Sequence, residues 1–243
     1  MSIVGSWNAG AGVALFSVIA VGLALPGLRY ALDSVGLGGG SLIQQLLVYE
    51  VVLAGVGLCV ALIVTRLLPG TSPGAFSAGA LDVGVSPVRF LGLGGDGITW
   101  RREIVSLTLA ISVVTTIFVY LANRNGFSWH QALGLAPWIL LFAALNAAGE
   151  EWIYRVALLR GAGGVLSLDA ASLLSAAVFG VAHFGGMPGG PFGALAAALL
   201  GFILSRATLE TGGVATAWVV HFIQDVVIFA GWLGAANLTA VAK

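Results

Sequence analysis

The residues best suited to chemistry are ionisable side chains that interrupt three otherwise apolar stretches in the second half of the chain. The set consists of Glu150, Glu151, Arg155, His183, His221 and Asp225. Charged groups inside membrane helices are costly and therefore usually serve a function. A carboxylate and a histidine shielded from bulk water are suited to activating a water molecule and moving its protons. The pattern favours one shared site for water activation over unrelated structural charges.

The spacing of these residues predicts which of them share a helix face. Glu151 and Arg155 are four residues apart, so they can neutralise each other on one face. Glu150 is rotated by about 100° from Glu151 and must point elsewhere. His221 and Asp225 are also four residues apart and share a face. Asp225 could orient His221, or it could simply lie beside that ring.

Three further residues lie close to this set or interrupt another apolar stretch. Phe179 lies one turn before His183 and is predicted to pack beneath its ring. Asn146 lies one turn before Glu150, where support of that carboxylate and simple packing are equally compatible with the sequence. Glu50 is predicted to pair with another helix or to extend its carboxylate towards the membrane surface.

The composition restricts the protein class. Of the 243 residues, 59% are hydrophobic and 8% are charged, whereas soluble domains are roughly 25% charged. This composition predicts an all-α, polytopic membrane bundle, because a membrane β-barrel would show alternating strands of about ten residues. Ten basic and ten acidic residues without a basic cluster argue against a nucleic-acid partner. This composition fits a protein whose partner is the lipid bilayer.

About seven membrane-spanning helices are predicted from apolar stretches close to the roughly 20 residues that a bilayer requires. They cover residues 12–30, 42–68, 104–121, 136–159, 170–184, 192–206 and 214–233. The first stretch is predicted to be a retained helix and not a signal peptide, since no Lys or Arg precedes it. We expect one membrane domain over residues 1–243. Residues 1–135 would form N-terminal helices and a long surface connection, and residues 136–233 the catalytic core.

The distribution of basic residues predicts the orientation in the membrane. The side expected to hold the N-terminus carries Arg66, Arg89, Arg101, Arg102, Arg160 and Arg206. The opposite side carries only Arg29, Arg124 and Lys243. Because positive residues concentrate on the cytoplasmic side, the N-terminus is predicted to be cytoplasmic.

Three motifs in this order resemble the CPBP family of intramembrane proteases, which includes the CAAX prenyl endopeptidases. The family pattern combines EExxxR, FxxxH and a histidine followed four residues later by Asn or Asp. The matching motifs begin here at Glu150, Phe179 and His221, and the likeness covers about residues 136–233. It implies a multi-pass intramembrane endopeptidase that cleaves a membrane-anchored or lipid-modified protein. We expect such a protein in the prokaryotic cytoplasmic membrane.

The resemblance also implies a role for each site residue. Glu150 would act as the general base on the attacking water, assisted by His183. His221 and Asp225 would stabilise the oxyanion or position the water. An ionised aspartate cannot donate a hydrogen bond, so Asp225 would have to be protonated or else act on His221.

By the same resemblance, Glu151 and Arg155 would hold the helix and orient the site. Metal use stays open at this point. His183, His221 and a carboxylate are a plausible zinc set, but HExxH is absent from the sequence, and metal-independent chemistry is favoured with zinc not excluded. The alternative function is a non-enzymatic transporter or scaffold that uses the charged cluster as a proton relay or packing lock.

Overall fold

The computed structural model describes residues 9–37, 39–68, 76–163, 165–186 and 189–236. Within these residues the protein is built from α-helices, short 3₁₀ turns and one π-helical segment. The extended structure in this part of the chain consists of two isolated bridges, between residues 84 and 99 and between residues 88 and 93. The predicted all-α class is confirmed.

The helix bounds follow the apolar stretches of the sequence. The N-terminal helices are α1 (Ala9–Ala24), α2 (Leu28–Ser34), α3 (Leu42–Leu67), α4 (Trp100–Asn123) and α5 (Trp129–Gly134). The remaining helices are α6 (Ala136–Glu151), α7 (Leu158–Ala162), α8 (Leu168–Ala182), α9 (Gly190–Thr211) and α10 (Ala215–Ala235). A π-helical segment, Trp152–Ala157, connects α6 directly to α7.

Five helical stretches are long and apolar enough to cross a membrane, which identifies an integral membrane protein. They are α3, α4, α9, α10 and the stretch Leu168–Gly185, which joins α8 to the turn that follows it. The two other predicted segments, 12–30 and 136–159, are also helical but interrupted. The first is broken by the 3₁₀ turn Leu25–Gly27, where Pro26 lacks a backbone N–H. The second contains the π-helical segment.

The packing order places the charged residues inside the bundle. Helix α6 packs between α3 and α10, α8 packs along α9, and α4 packs mainly against α10. The outer side of α4 carries exposed apolar residues such as Leu109, Val113 and Ile117. Such a surface suits contact with lipid, since water would disfavour it. The motifs of α6, α8 and α10 are therefore enclosed by the other helices.

Gly57 in α3 and Gly149 in α6 allow these helices to approach each other directly beside the Glu150 position. A Cβ atom at residue 57 would overlap the Gly149 carbonyl, whereas a Cβ atom at Gly55 would meet nothing within 4 Å. We expect Gly57→Ala to lower the free energy of unfolding by about 1–3 kcal/mol, because overpacking forces the helices apart. Gly55→Ala is the matched control on the same helix. Thermal unfolding in detergent checks this, and equal melting temperatures would contradict the close approach.

Glu210, near the end of α9, binds the connection that precedes α4. Its Oε2 atom accepts hydrogen bonds from Trp100 Nε1 at 2.9 Å and from the Ser86 amide at 3.0 Å. Its Oε1 atom lies 2.7 Å from Arg206 Nη2, and Arg206 also pairs with Asp169. These contacts hold the start of α4 and the end of α9 on the same side of the bundle.

Candidate active site

Three helical segments bring the four predicted catalytic residues to one cavity of about 780 Å³. Glu150 lies near the C-terminal end of α6, His183 directly follows α8, and His221 and Asp225 lie one turn apart in α10. All four line the cavity. Distant parts of the sequence thus converge on one enclosed space.

Two imidazole rings converge on a single oxygen atom of Glu150. Its Oε2 lies 3.6 Å from His183 Nε2 and 3.7 Å from His221 Nε2. This oxygen has no hydrogen-bond partner within the described part of the chain. Both distances exceed a direct hydrogen bond of about 2.7–3.2 Å. The carboxylate and the rings are therefore spaced to share a small molecule such as water.

The His183 ring is oriented by the last turn of α8. Its Nδ1 lies 2.9 Å from the Phe179 carbonyl oxygen. Because a carbonyl can only accept a hydrogen bond, Nδ1 carries the hydrogen, and Nε2 of the neutral ring is a free acceptor facing Glu150. The Phe179 ring contacts His183, with 4.2 Å between the ring centroids.

The His221 ring is oriented by Glu151. Its Nδ1 lies 2.7 Å from Glu151 Oε1, so the ring directs Nε2 towards Glu150 and, at 3.6 Å, towards Asp225 Oδ2. The sequence left open whether Asp225 orients His221. In the structure the close contact to the ring comes from Glu151, and Asp225 lies beside the nitrogen that faces the cavity.

Glu151 also pairs with Arg155, and both side chains are at most 1% exposed. Arg155 Nε lies 3.2 Å from Glu151 Oε2, and the guanidinium carbon lies 4.2 Å from the centre of the Phe179 ring. Among the described residues no hydrogen-bond acceptor meets its nitrogen atoms in good geometry. The ion pair and the face of the ring therefore hold this buried charge. Arg155 lies within the π-helical segment, a feature often found at functional sites.

Asn146 contacts a different partner from the predicted one. Its side-chain amide donates to Asp225 Oδ2 at 3.0 Å, whereas the sequence placed it near Glu150. Asn146 and Asp225 lie on α6 and α10, so their contact depends on how these two helices are rotated. The consequence is that Asp225 acts as a hydrogen-bond acceptor in this arrangement.

Glu50 and Gln224 are site residues that the sequence interpretation did not identify. Glu50 is 2% exposed, lines the cavity and has no hydrogen-bond partner for Oε2 among the described residues. It does not extend to the membrane surface, so this part of the prediction is wrong. Gln224 accepts from Thr115 and donates to Ser112, each at 2.9 Å, and thereby ties α10 to α4. Their polarity within apolar stretches was the available signal.

The residues that the structure describes do not form a metal centre. No group of three His, Cys, Asp or Glu side chains among them is arranged to hold a metal ion. His183 and His221, the ligands predicted if a metal were used, both turn Nε2 towards Glu150 Oε2. A metalloprotease-like assignment therefore has no support.

Comparison with known proteins finds a family model that matches this core. Residues 130–227 match the family model described as type II CAAX prenyl endopeptidase Rce1-like. The match spans all three motifs, from Glu150 to Asp225, and confirms the resemblance found in the sequence. Comparisons with curated proteins and with solved structures found no match. The core is therefore similar to that of a membrane protease family.

Proposed function

We propose that this chain, whose residues 130–227 match the family model described as type II CAAX prenyl endopeptidase Rce1-like, is an intramembrane endopeptidase. It would hydrolyse a peptide bond of a membrane-anchored or lipid-modified protein. The observation that carries the proposal is the convergence of His183 Nε2 and His221 Nε2 on Glu150 Oε2, at 3.6 and 3.7 Å. A carboxylate and two imidazoles around one enclosed space are suited to general-base activation of water.

In the first step Glu150 accepts a proton from a water molecule while the water oxygen attacks the carbonyl carbon of the scissile bond. His183 holds the water through the free electron pair on Nε2, since its Nδ1 hydrogen is engaged by the Phe179 carbonyl. The C–O bond forms as the carbonyl π bond breaks, which places a negative charge on the carbonyl oxygen. Correct placement of the water by two groups lowers the entropic barrier.

His221 and Asp225 act on the negative charge that develops on the carbonyl oxygen. His221 stabilises it by donating from Nε2 in the doubly protonated ring, whose positive charge Glu151 balances at Nδ1. Asp225 accepts from Asn146 and lies 3.6 Å from His221 Nε2, so we assign it to balancing the charge of the protonated ring and not to donation. When the intermediate collapses, the carbonyl double bond re-forms, the C–N bond breaks, and the proton held by Glu150 passes to the leaving nitrogen. The products are a carboxylic acid and an amine.

The removal of His183 gives a sharp test of this proposal, because the chain has only two other histidines. His183→Ala is expected to lower kcat/KM for peptide cleavage by about 100-fold or more, since the water loses an orienting partner. His130→Ala is the matched control, because His130 is exposed and does not line the cavity. Cleavage of membrane-derived peptides by purified protein in detergent provides the measurement.

The outcome also distinguishes the protease from the alternative function. Undiminished cleavage by His183→Ala would contradict the mechanism. A folded wild-type protein that cleaves nothing, while the variant loses transport of an ion or solute, would instead favour a transporter that uses the cluster as a proton relay.

The side chains that line the cavity indicate the class of substrate that we propose. Apolar side chains from α4 and α9, such as Val114, Phe118 and Phe192, line it together with the polar residues. Such walls suit the tail of a lipid-modified protein, a leader peptide, or an anchored surface protein that is processed. Comparing membrane proteomes with and without the protein identifies the class. Shifted C-termini indicate cleavage of the tail of a lipid-modified protein, and shifted N-termini indicate removal of a leader peptide.

We also propose that the protein lies in a prokaryotic cytoplasmic membrane with a cytoplasmic N-terminus. The excess of arginines on one side supports this orientation. The contact between Trp100 and Glu210 places two of the Arg-bearing ends together. A cysteine introduced at Asp96 in a Cys59→Ser background should react with a membrane-impermeant maleimide only after cells are opened. Labelling in intact cells would indicate the opposite orientation.

A further inference from the structure

One buried carboxyl group of the cavity has no role in the proposed mechanism. Glu50 in α3 is 2% exposed and lines the same cavity as Glu150. Its Oε2 atom has no hydrogen-bond partner among the described residues. A buried polar atom without a partner costs free energy. The Glu50 carboxyl is therefore available to a group that enters the cavity.

The charge of the cavity wall indicates what kind of group this is. Its lining residues, as far as the structure describes them, include four carboxyl groups but neither Lys nor Arg. The carboxyl groups belong to Asp33, Glu50, Glu150 and Asp225. The imidazole rings of His183 and His221 also line the cavity. Even with both rings protonated, their positive charges balance only half of the four carboxyl groups. A low-dielectric space lined by one sign of charge attracts the opposite sign.

The carboxyl groups of the reacting centre already face imidazole or amide groups, which separates them from Glu50. Glu150 faces both imidazoles, and Asp225 accepts from Asn146 and lies beside His221. Glu50 lies within electrostatic range of both Glu150 and Asp225. A group that meets Glu50 is thus held in the same cavity as the reacting centre.

We propose that Glu50 binds a basic side chain of the substrate close to the scissile bond, and that it makes the protease selective for Lys or Arg there. This inference rests on the proposed function. An ammonium or guanidinium group would supply both the missing hydrogen-bond donor and the missing positive charge. Charge-assisted hydrogen bonds of this kind are roughly twice as strong as neutral ones.

Two matched peptides test the selectivity. They share one cleavable sequence and differ only by Lys or norleucine at the residues that flank the scissile bond. The wild-type protein is expected to favour the Lys peptide about tenfold or more in kcat/KM. Glu50→Gln is expected to bring this ratio close to one, because the amide retains the shape but not the charge. Glu103→Gln is the control, since Glu103 lies in the first turn of α4 and outside the cavity lining.

Each outcome of these measurements supports or overturns the proposed binding of a basic side chain by Glu50. Equal cleavage of both peptides by the wild-type protein would overturn it, and this comparison does not depend on the folding of any variant. An unchanged ratio in folded Glu50→Gln would also overturn it. Glu50→Asp keeps the charge and should retain the preference. If the wild-type protein cleaves neither these peptides nor any membrane-derived substrate, the proposed function itself fails, and the inference fails with it.

Discussion

Replacement of Glu150 by Gln is expected to lower kcat for peptide cleavage by about 100- to 10,000-fold, the range that a general base contributes. The amide cannot accept the proton of the attacking water, although it has nearly the same size as the carboxyl group. Glu150 Oε2 lies at the point where His183 and His221 converge, so neither ring can replace it without moving. The effect should fall on kcat far more than on KM.

Steady-state kinetics of the purified variant in detergent or lipid measures this loss. Glu103→Gln is again the matched control, because it removes a carboxylate from α4 without touching the cavity. Melting temperatures of both variants establish that the fold is retained. A Glu150→Gln protein that keeps a tenth or more of the wild-type kcat would remove Glu150 from the role of general base.

Replacement of Arg155 by Met is expected to destabilise the protein by about 3–5 kcal/mol, since it removes one partner of a buried ion pair. Arg155 is fully buried, lies 3.2 Å from Glu151 and covers the Phe179 ring. Methionine retains most of the apolar volume, so the loss reports mainly on the Glu151 carboxylate, which keeps only its contact with His221. Activity should fall as well, because Glu151 also holds His221.

Chemical unfolding in mixed micelles measures the change. Arg101→Met is the matched control, because Arg101 pairs with Asp82 while the two side chains are 64% and 77% exposed. Exposed ion pairs contribute about 0–1 kcal/mol. The double variant Glu151→Gln/Arg155→Met should regain part of the stability. Equal losses for Arg155→Met and Arg101→Met would show that burial of the inner pair has no energetic consequence.

Residue spacing predicted the contacts within one helix, but it did not predict the individual partners of Asn146 and Glu151 on a second helix. The ion pair of Glu151 with Arg155 follows from a spacing of four residues within one helix, and it is present. The contacts of Asn146 with Asp225 and of Glu151 with His221 join α6 to α10. Their partners are decided by the rotation of each helix about its axis, which apolar composition does not determine.

The same limit explains the helix boundaries and Glu50. Apolar runs predicted all of the long helices, but a run of hydrophobic residues does not reveal a π-helical turn such as Trp152–Ala157. In a lipid-exposed bundle both faces of a helix are apolar. The sequence therefore could not show that Glu50 turns inwards, to the cavity that α3 shares with α6 and α10.

The central claim is that the cavity activates water to hydrolyse a peptide bond. Mass spectrometry of the cleavage products formed in heavy-oxygen water tests this claim most directly. The wild-type protein should release a peptide whose new C-terminal carboxyl group carries one heavy oxygen, and Glu150→Gln should release almost none. Cleavage that leaves the new C-terminus unlabelled, or equal labelled product from Glu150→Gln, would contradict the account.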